Sequence, residues 1–134
     1  MPYSGFPPVL LVDDVPMIIE VVHAVLGQLG FRDIDAASDG TAALQFLRQR
    51  RYGLVLSDWN MLPMTGYELL RHVRTDPSLC ETPFVMMTTQ AQADCFPAAR
   101  RAGVNACLIK PFTPSKLRET IVTVCGNARP DGTA

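Results

Sequence analysis

The sequence predicts an α/β fold in which a five-stranded parallel sheet is covered by helices on both faces. Five short, mainly apolar runs alternate with longer segments of helical period, which is the pattern of a strand-helix unit repeated five times. The length of 134 residues suits about one domain, and 48% hydrophobic with 19% charged residues is a globular composition. We therefore expect one domain over residues 1–127, followed by a flexible tail at 128–134.

Each predicted strand is a short run in which aliphatic and β-branched residues dominate. A parallel sheet buries both faces of its strands, so such strands read as continuous apolar runs rather than as an alternation of apolar and polar residues. The five predicted strands are Val9 to Val12, Ile34 to Ala37, Leu54 to Ser57, Phe84 to Thr88 and Ala106 to Ile109.

The segments between the strands carry helix start and stop signals. Pro16 suits the first turn of a helix that reaches Leu29, since its missing N–H is not needed there, and Gly30 ends that helix. Asp39 is a suitable N-cap for the second helix, whose basic end suits the helix dipole. The three later helices are predicted over Gly66 to Thr75, over Asp94 to Ala102 and from Thr113 onward.

Charge and cysteine content exclude several classes of function. A formal net charge of -1 offers no excess of cations for non-specific nucleic-acid binding. The four cysteines have no zinc-binding spacing, and we expect them to be small buried residues in a reducing cytoplasm. The first residues lack the basic region of a signal peptide, and VLLV is too short to span a membrane. We predict a cytoplasmic protein that binds neither nucleic acid nor membrane.

Polar side chains that could bind a ligand or take part in a reaction follow the predicted strands. In an open parallel sheet, ligands bind beyond the carboxyl ends of the strands. Any one acid at such a place is ordinarily a helix cap or a solvated loop residue, but several together predict a site. They are Asp13 and Asp14 after the first strand, Asp58 after the third, Thr88 and Thr89 at the end of the fourth, and Lys110 after the fifth.

Three carboxylates at one edge repel each other, so a site that keeps them ionised requires a cation. Mg²⁺ suits such a site, because it takes one or two carboxylates, several waters and a phosphate oxygen. Lys110 offers a point charge for a phosphoryl group, and the Thr88 hydroxyl offers a hydrogen bond. Asp58 would then attack phosphorus in line and become an aspartyl phosphate.

Four segments, VLLVDD, LVLSDWNMLPMTG, PFVMMTTQA and GVNACLIKPF, resemble the response regulator receiver domain, the phosphoacceptor module of two-component signalling. The resemblance spans nearly the whole chain and is closest in kind to the single-domain chemotaxis regulators. It implies a flavodoxin-like fold with strand order 2-1-3-4-5 and a cis peptide bond between Lys110 and Pro111. The activity it implies is confined to the protein's own phosphorylation and dephosphorylation.

The resemblance also assigns roles at the site. It implies Asp58 as the phosphoacceptor, Thr88 and Lys110 as phosphoryl contacts, and a histidine kinase as phosphodonor. It implies a downstream protein as the target, and either a monomer or a phosphorylation-dependent dimer. The implied Mg²⁺, for which Mn²⁺ is an alternative, has as ligands Asp14, Asp58, the backbone carbonyl of Asn60 and, often through water, Asp13.

The chain departs from the family pattern at three places. Leu62 stands where proline is usual, with Pro63 after it, and Thr89 replaces a common alanine. Cys107 stands where a tyrosine or phenylalanine usually reports phosphorylation, so any signal would pass through Thr88 and the helix around residues 94–102. By the same resemblance, the neutral amides of Asn60 and Gln90 occupy positions that influence access of hydrolytic water.

Three alternatives stay open at this point. A degenerate receiver would serve only as an interaction module, and Cys107 with the altered loop favours it over the other two. A phosphohydrolase would need a second acid two residues beyond the nucleophile, where Asn60 stands. A flavin carrier would cradle phosphate after the first strand, where DDVP would repel it.

Overall fold

Helices cover both faces of a five-stranded sheet, so its three central strands are almost wholly buried, whereas its two edge strands are largely half-buried. The computed structural model describes residues 6–89, 94 and 96–125. The strands are β1 (Val9–Val12), β2 (Ile34–Ala37), β3 (Leu54–Asp58), β4 (Phe84–Thr89) and β5 (Ala106–Lys110). The helices are α1 (Pro16–Leu29), α2 (Gly40–Gln49), α3 (Gly66–Thr75), α4 (Phe96–Arg101) and α5 (Pro114–Cys125).

All four pairings in the sheet are parallel, and the strand order is β2-β1-β3-β4-β5. Both the fold class and the predicted strand order are therefore confirmed. β2 lies on one side of β1, whereas β3, β4 and β5 follow in order on the other side. The direction in which successive strands are added therefore reverses between β1 and β3. A crevice beyond the carboxyl ends of these two strands is where open parallel sheets bind ligands.

The core consists of two apolar layers, one on each face of the sheet. One layer joins the sheet to α1 and α5, and it includes Val22, Leu26 and Leu117. The other joins the sheet to α2 and α3, and it includes Leu47 and Leu70. The strands thus hold their carboxyl ends in a fixed arrangement.

Local signals set the helix ends much as the sequence indicates. The Asp39 side chain accepts hydrogen bonds from the N–H groups of Thr41 and Ala42 at the start of α2. Thr65 and Glu68 form a reciprocal capping box that begins α3 at Gly66.

The strand and helix bounds differ from prediction in two respects. The strands β3, β4 and β5 each continue one residue further than predicted, to Asp58, Thr89 and Lys110, because pairing with the neighbouring strand includes these polar ends. The helix α4 covers Phe96–Arg101 rather than Asp94 to Ala102, and Pro97 fits its first turn, where no N–H is needed. The predicted tail, 128–134, lies outside the described residues, as does Gln90.

Within the described ranges, no helix combines the length and the apolar character that crossing a bilayer requires.

Candidate functional site

Three strands bring charged side chains to one edge of the sheet. Asp13 directly follows β1, whereas Asp58 and Lys110 are the last residues of β3 and β5. The neighbouring strands lie in parallel register, with Val12 opposite Ser57 and Asp58 opposite Met87. Strand pairing between residues far apart in sequence therefore assembles this edge.

The carboxylates of Asp13, Asp14 and Asp58 form a tight cluster. Each can offer one oxygen such that all three oxygens lie within 4.8 Å of one another. Asp13 and Asp58 are buried, whereas Asp14 is exposed. Hard carboxylate oxygens at this spacing, with an open side toward solvent, fit the ligand preference of Mg²⁺.

Lys110 bridges the two buried acids. Its Nζ donates to Asp13 Oδ2 over 2.9 Å and to Asp58 Oδ1 over 3.1 Å. Burial alone would lower the pKa of Lys110, but the hydrogen bonds and charges of the two acids outweigh it and raise that pKa above its ordinary value. Lys110 therefore stays protonated and offers a fixed positive charge at the site.

Asp58 is held in an environment that disfavours its charge. Burial is the main cause that raises its pKa, and the hydrogen bond from Lys110 opposes it. The charge of Asp13 acts in the same direction as burial. A cation bound beside Asp58 would stabilise its ionised form. The raised pKa of Asp58 is therefore consistent with the metal site that the sequence predicts.

Asp13 is anchored from both of its oxygens. Its Oδ1 accepts a hydrogen bond of 2.9 Å from the Val15 N–H, and Oδ2 accepts the bond from Lys110. Its side chain has no exposed area. Because both oxygens already have partners, Asp13 is a rigid member of the cluster, whereas the exposed Asp14 is free to turn toward an ion from solvent.

The loop after β3 returns to the backbone of Asp58. The Gly66 N–H donates to the Trp59 carbonyl over 2.9 Å, and a Cβ on Gly66 would lie 2.1 Å from the Asp58 carbonyl oxygen. Only glycine permits so close an approach. The loop after β3 therefore closes against the end of that strand, beside the acidic cluster.

Within that loop, the chain alternates between anchored and exposed positions. Met61 is buried in the core layer, while Leu62 is 84% exposed. The peptide bond between Leu62 and Pro63 is cis, as is that between Lys110 and Pro111. The second of these cis bonds is the one that the family resemblance implies.

The remaining predicted site residues take varied positions. Thr88 is fully buried in β4, opposite Ile109, while Thr89 and Asn60 are exposed. The phosphoryl contact assigned to Thr88 and the metal contact assigned to the Asn60 carbonyl stay predictions. The assignment made for Gln90 falls outside the described residues.

Cys107 lies in β5, half-buried, and packs against the core layer of α2 and α3. Burial raises the pKa of its thiol, and the charge of Arg100 lowers it by less. Cys107 thus acts as a small packing residue. The expectation that the cysteines are buried is correct for Cys125 but wrong for Cys80 and Cys107, which are half-buried, and Cys95 lies outside the described residues.

One feature of the site was missed by sequence reasoning. The ring of Trp59, which follows Asp58, stacks on the ring of Tyr67 with centroids 5.5 Å apart and an interplanar angle of 23°. Trp59 is half-buried, and its stacked ring lies between the end of β3 and the first turn of α3. Tyr67 in the first turn of α3 was the available signal, because that turn returns to the end of β3.

The comparisons with known proteins agree with this geometry. A family model described as the response regulator receiver domain matches residues 9–122. The chemotaxis protein CheY of Pseudomonas aeruginosa is 41% identical over 113 residues, which cover 84% of this chain and 91% of that protein. CheY-3 of Vibrio cholerae is 37% identical over 113 residues, with 84% and 87% covered.

Two solved structures extend the likeness to three dimensions. The chemotaxis response regulator CheY4 of Vibrio cholerae has a TM-score of 0.82 at 33% identity, covering 89% of this chain and 98% of its own. The receiver domain of a sensor histidine kinase from Pseudomonas aeruginosa has a TM-score of 0.80 at 28% identity, with 90% and 98% covered. That second structure holds a magnesium ion coordinated in its active site cleft.

Proposed function

The chain belongs to the response regulator receiver domain family, and on that premise we propose that Asp58 accepts a phosphoryl group from a histidine kinase in a Mg²⁺-dependent reaction. The observation that carries the proposal is the meeting of three carboxylates and Lys110 at one edge of the sheet. The phosphorylated form then changes its binding to a downstream protein.

The metal belongs to the acidic cluster. Asp14, Asp58 and the backbone carbonyl of Asn60 would hold Mg²⁺ directly, and Asp13 would support it through water. When bound, the ion neutralises charge on the incoming phosphoryl oxygens. The magnesium in the receiver domain of the Pseudomonas aeruginosa kinase supports this assignment, as does the carboxylate spacing here. Mn²⁺, with a similar preference for oxygen, is the alternative ion.

The transfer itself requires little beyond position and charge. An oxygen of Asp58 attacks phosphorus in line; the new P–O bond forms as the bond from phosphorus to the histidine nitrogen breaks, and that nitrogen leaves with the electron pair. Lys110 then exchanges its bond to Asp58 for a bond to a phosphoryl oxygen. The Thr88 hydroxyl donates to another of these oxygens.

The relatives are chemotaxis proteins, which supports a signalling role rather than metabolic catalysis. We expect two protein partners, a histidine kinase that donates the phosphoryl group and a target that reads the result, and we expect both encounters in the cytoplasm. The proposal for the oligomeric state is either a monomer or a dimer that forms on phosphorylation.

Intact-mass measurement tests the proposal. Incubation with Mg²⁺ and acetyl phosphate should add the mass of one phosphoryl group, and the addition should vanish with EDTA or in Asp58→Asn. The matched control is Asp94→Asn, which removes an exposed acid and should still gain the mass. An unchanged mass in the wild-type protein with every donor would overturn the proposal.

The presence of Cys107 in place of the usual aromatic favours one second candidate, a receiver that binds its partner without phosphorylation. That candidate predicts equal partner binding by the wild-type protein and by Asp58→Asn, whereas the first predicts a difference. A pull-down with phosphorylated and unphosphorylated protein separates the two.

A further inference from the structure

An open groove with basic walls runs between α3 and the end of α4. It has a volume of about 430 Å³, and we call it the α3-α4 groove. It is lined by Tyr67, Arg71, Arg74, Thr75, Arg101 and Ala102. Three of these six residues are arginines, and none of the described lining residues is acidic.

The position of these side chains follows from helical spacing. Tyr67, Arg71 and Arg74 recur at helical period and share one face of α3. A different face of the helix, which includes Leu69 and Val73, is buried in the core. Arg71 and Arg101 are exposed, so their charges are available to a partner.

Arg74 fixes one positive charge in the groove. Its guanidinium donates to the carbonyls of Gly103, Thr82 and Cys80 and to Asn105 Oδ1, over 2.7 to 3.1 Å. All four acceptors are neutral, so the charge is oriented but not neutralised. Among the residues that the structure describes, no carboxylate forms an ion pair with any of the groove arginines.

A second basic groove on the molecule differs in this respect. It is lined in part by Arg48, Arg50 and Arg51, but Glu81 also lines it. Arg50 is paired with Asp33 over 2.6 Å and with Asp35 over 3.3 Å. Much of the positive charge there is already balanced, and this groove lies at the amino ends of the strands, away from Asp58.

The α3-α4 groove is connected to the proposed phosphoacceptor through two stacked rings. Trp59 follows Asp58, and its ring stacks on Tyr67, which lines the groove. The Trp59 backbone is held on both sides, since its N–H donates to Met87 and its carbonyl accepts from Gly66. These contacts link Asp58 to the Tyr67 ring by a path that does not include Cys107.

We propose that the α3-α4 groove binds an acidic segment of a partner protein, and that the state of Asp58 sets the affinity through the contact between Trp59 and Tyr67. The second half of this inference rests on the proposed function. In this way the state of Asp58 would reach the α3-α4 groove without the aromatic residue that usually stands at the position of Cys107.

The chemistry of the groove favours a protein segment over nucleic acid. Arginine forks match carboxylates, and an aromatic rim offers an apolar anchor beside them. Nucleic acid binding requires an extended basic surface that neutralises many phosphates, and a chain of net charge -1 with one short basic groove does not supply it.

Fluorescence anisotropy with a labelled peptide of alternating Asp, Glu and Gly tests the groove. The full chain is titrated with Mg²⁺ present, with and without acetyl phosphate, and intact mass reports the phosphoryl adduct in every sample. Arg71→Gln with Arg101→Gln should weaken binding at least about threefold, as expected for loss of two partly exposed ion pairs. The matched control, Arg48→Gln with Arg51→Gln, removes equal charge from the second groove and should change affinity by less than about twofold.

Phosphorylation should change the wild-type affinity at least about threefold, and in Tyr67→Leu that ratio should fall toward one. Equal losses of peptide affinity in the two double variants would contradict binding of an acidic segment in the α3-α4 groove. Tighter binding of duplex DNA, or self-association through the same arginines, would contradict it as well. An unchanged affinity in a sample that carries the adduct would overturn the coupling. If no adduct forms in the wild-type protein, the proposed function and the coupling fail together, while the comparison of double variants still decides the groove.

Discussion

Lys110 lies between the two buried acids of the site, with Nζ 2.9 Å from Asp13 and 3.1 Å from Asp58. One ammonium group cannot balance both carboxylates, and Asp14 adds a third acid within 4.8 Å. The site therefore holds excess negative charge in a partly buried place. Both the proposed metal and the proposed phosphoryl transfer depend on this imbalance.

Removal of the ammonium group should cost stability mainly when no divalent ion is present. In Lys110→Gln, two buried acids lose their shared partner, and we expect a loss of about 2 kcal/mol in the free energy of unfolding. Added Mg²⁺ should recover part of the loss. Urea unfolding with EDTA or Mg²⁺ measures both effects. The control is Lys116→Gln, whose exposed pair with Glu119 should matter by less than about 0.5 kcal/mol; equal losses in the two variants would contradict the prediction.

Neutralisation of the exposed acid should weaken the response to the metal. In Asp14→Asn, one ligand is lost and one source of repulsion disappears, so we expect a slightly higher Tm in EDTA and a smaller rise in Tm on addition of Mg²⁺. Thermal unfolding over a Mg²⁺ series measures both. Asp94→Asn removes an exposed acid that is not one of the three clustered carboxylates and should respond to Mg²⁺ as the wild-type protein does. If Asp14→Asn showed the same rise in Tm with Mg²⁺ as the wild-type protein, Asp14 would not be a ligand of the metal.

Much of the fold could be predicted because its signals are local. Continuous apolar runs such as Val9 to Val12 indicate strands buried on both faces, and Asp39 and Gly30 mark helix ends directly. The ends of β3, β4 and β5 could not be read as well. Their last residues are polar, and only pairing with the neighbouring strand keeps them in the sheet.

The site could be predicted as a set of residues but not as a geometry. The rule that ligands bind beyond the carboxyl ends of parallel strands was enough to group Asp13, Asp58 and Lys110. That Lys110 contacts both acids depends on the spacing between nonadjacent strands, which no local pattern contains. The stack of Trp59 on Tyr67 depends on the path of the loop between them, and its signal in the sequence was the position of Tyr67 in the first turn of α3.

Gly66 is required by space rather than by backbone conformation. A Cβ there would lie 2.1 Å from the Asp58 carbonyl oxygen, so Gly66→Ala must displace the loop or the end of β3. We expect a loss of about 2 to 4 kcal/mol in the free energy of unfolding and a lower rate of phosphoryl uptake. Gly27→Ala is the control, because nothing lies within 4 Å of its added Cβ in α1, and it should gain up to about 1 kcal/mol. If Gly66→Ala were as stable as the wild-type protein, the backbone near the Asp58 carbonyl would be able to shift without loss of stability, which would contradict the prediction.

Arg74 should not be replaceable by lysine. Its guanidinium reaches four acceptors in the loops after α3 and α4, and burial lowers the pKa of this side chain. A lysine offers a single ammonium group that cannot span them, so Arg74→Lys should lose about 2 kcal/mol in the free energy of unfolding. Arg71→Lys, an exposed change one turn earlier, should lose less than about 0.5 kcal/mol. Urea unfolding compares them, and equal stability would mean that the loops hold without the guanidinium.

The thiols in the described core should react slowly in the folded protein. Burial raises the pKa of Cys125 to about 11 from an ordinary 9.0, and burial also raises the pKa of Cys107. Because only the thiolate reacts, at pH 8 Cys125 should have about a hundredth of the thiolate of a free cysteine. We expect iodoacetamide to modify both residues rapidly in urea and at least about tenfold more slowly in the folded protein, with the folded rate rising as pH approaches the raised pKa. Peptide mapping after timed alkylation measures each site separately. Rapid modification of Cys107 at pH 8 in the folded protein would contradict its role as a packing residue and would point to a redox-active thiol.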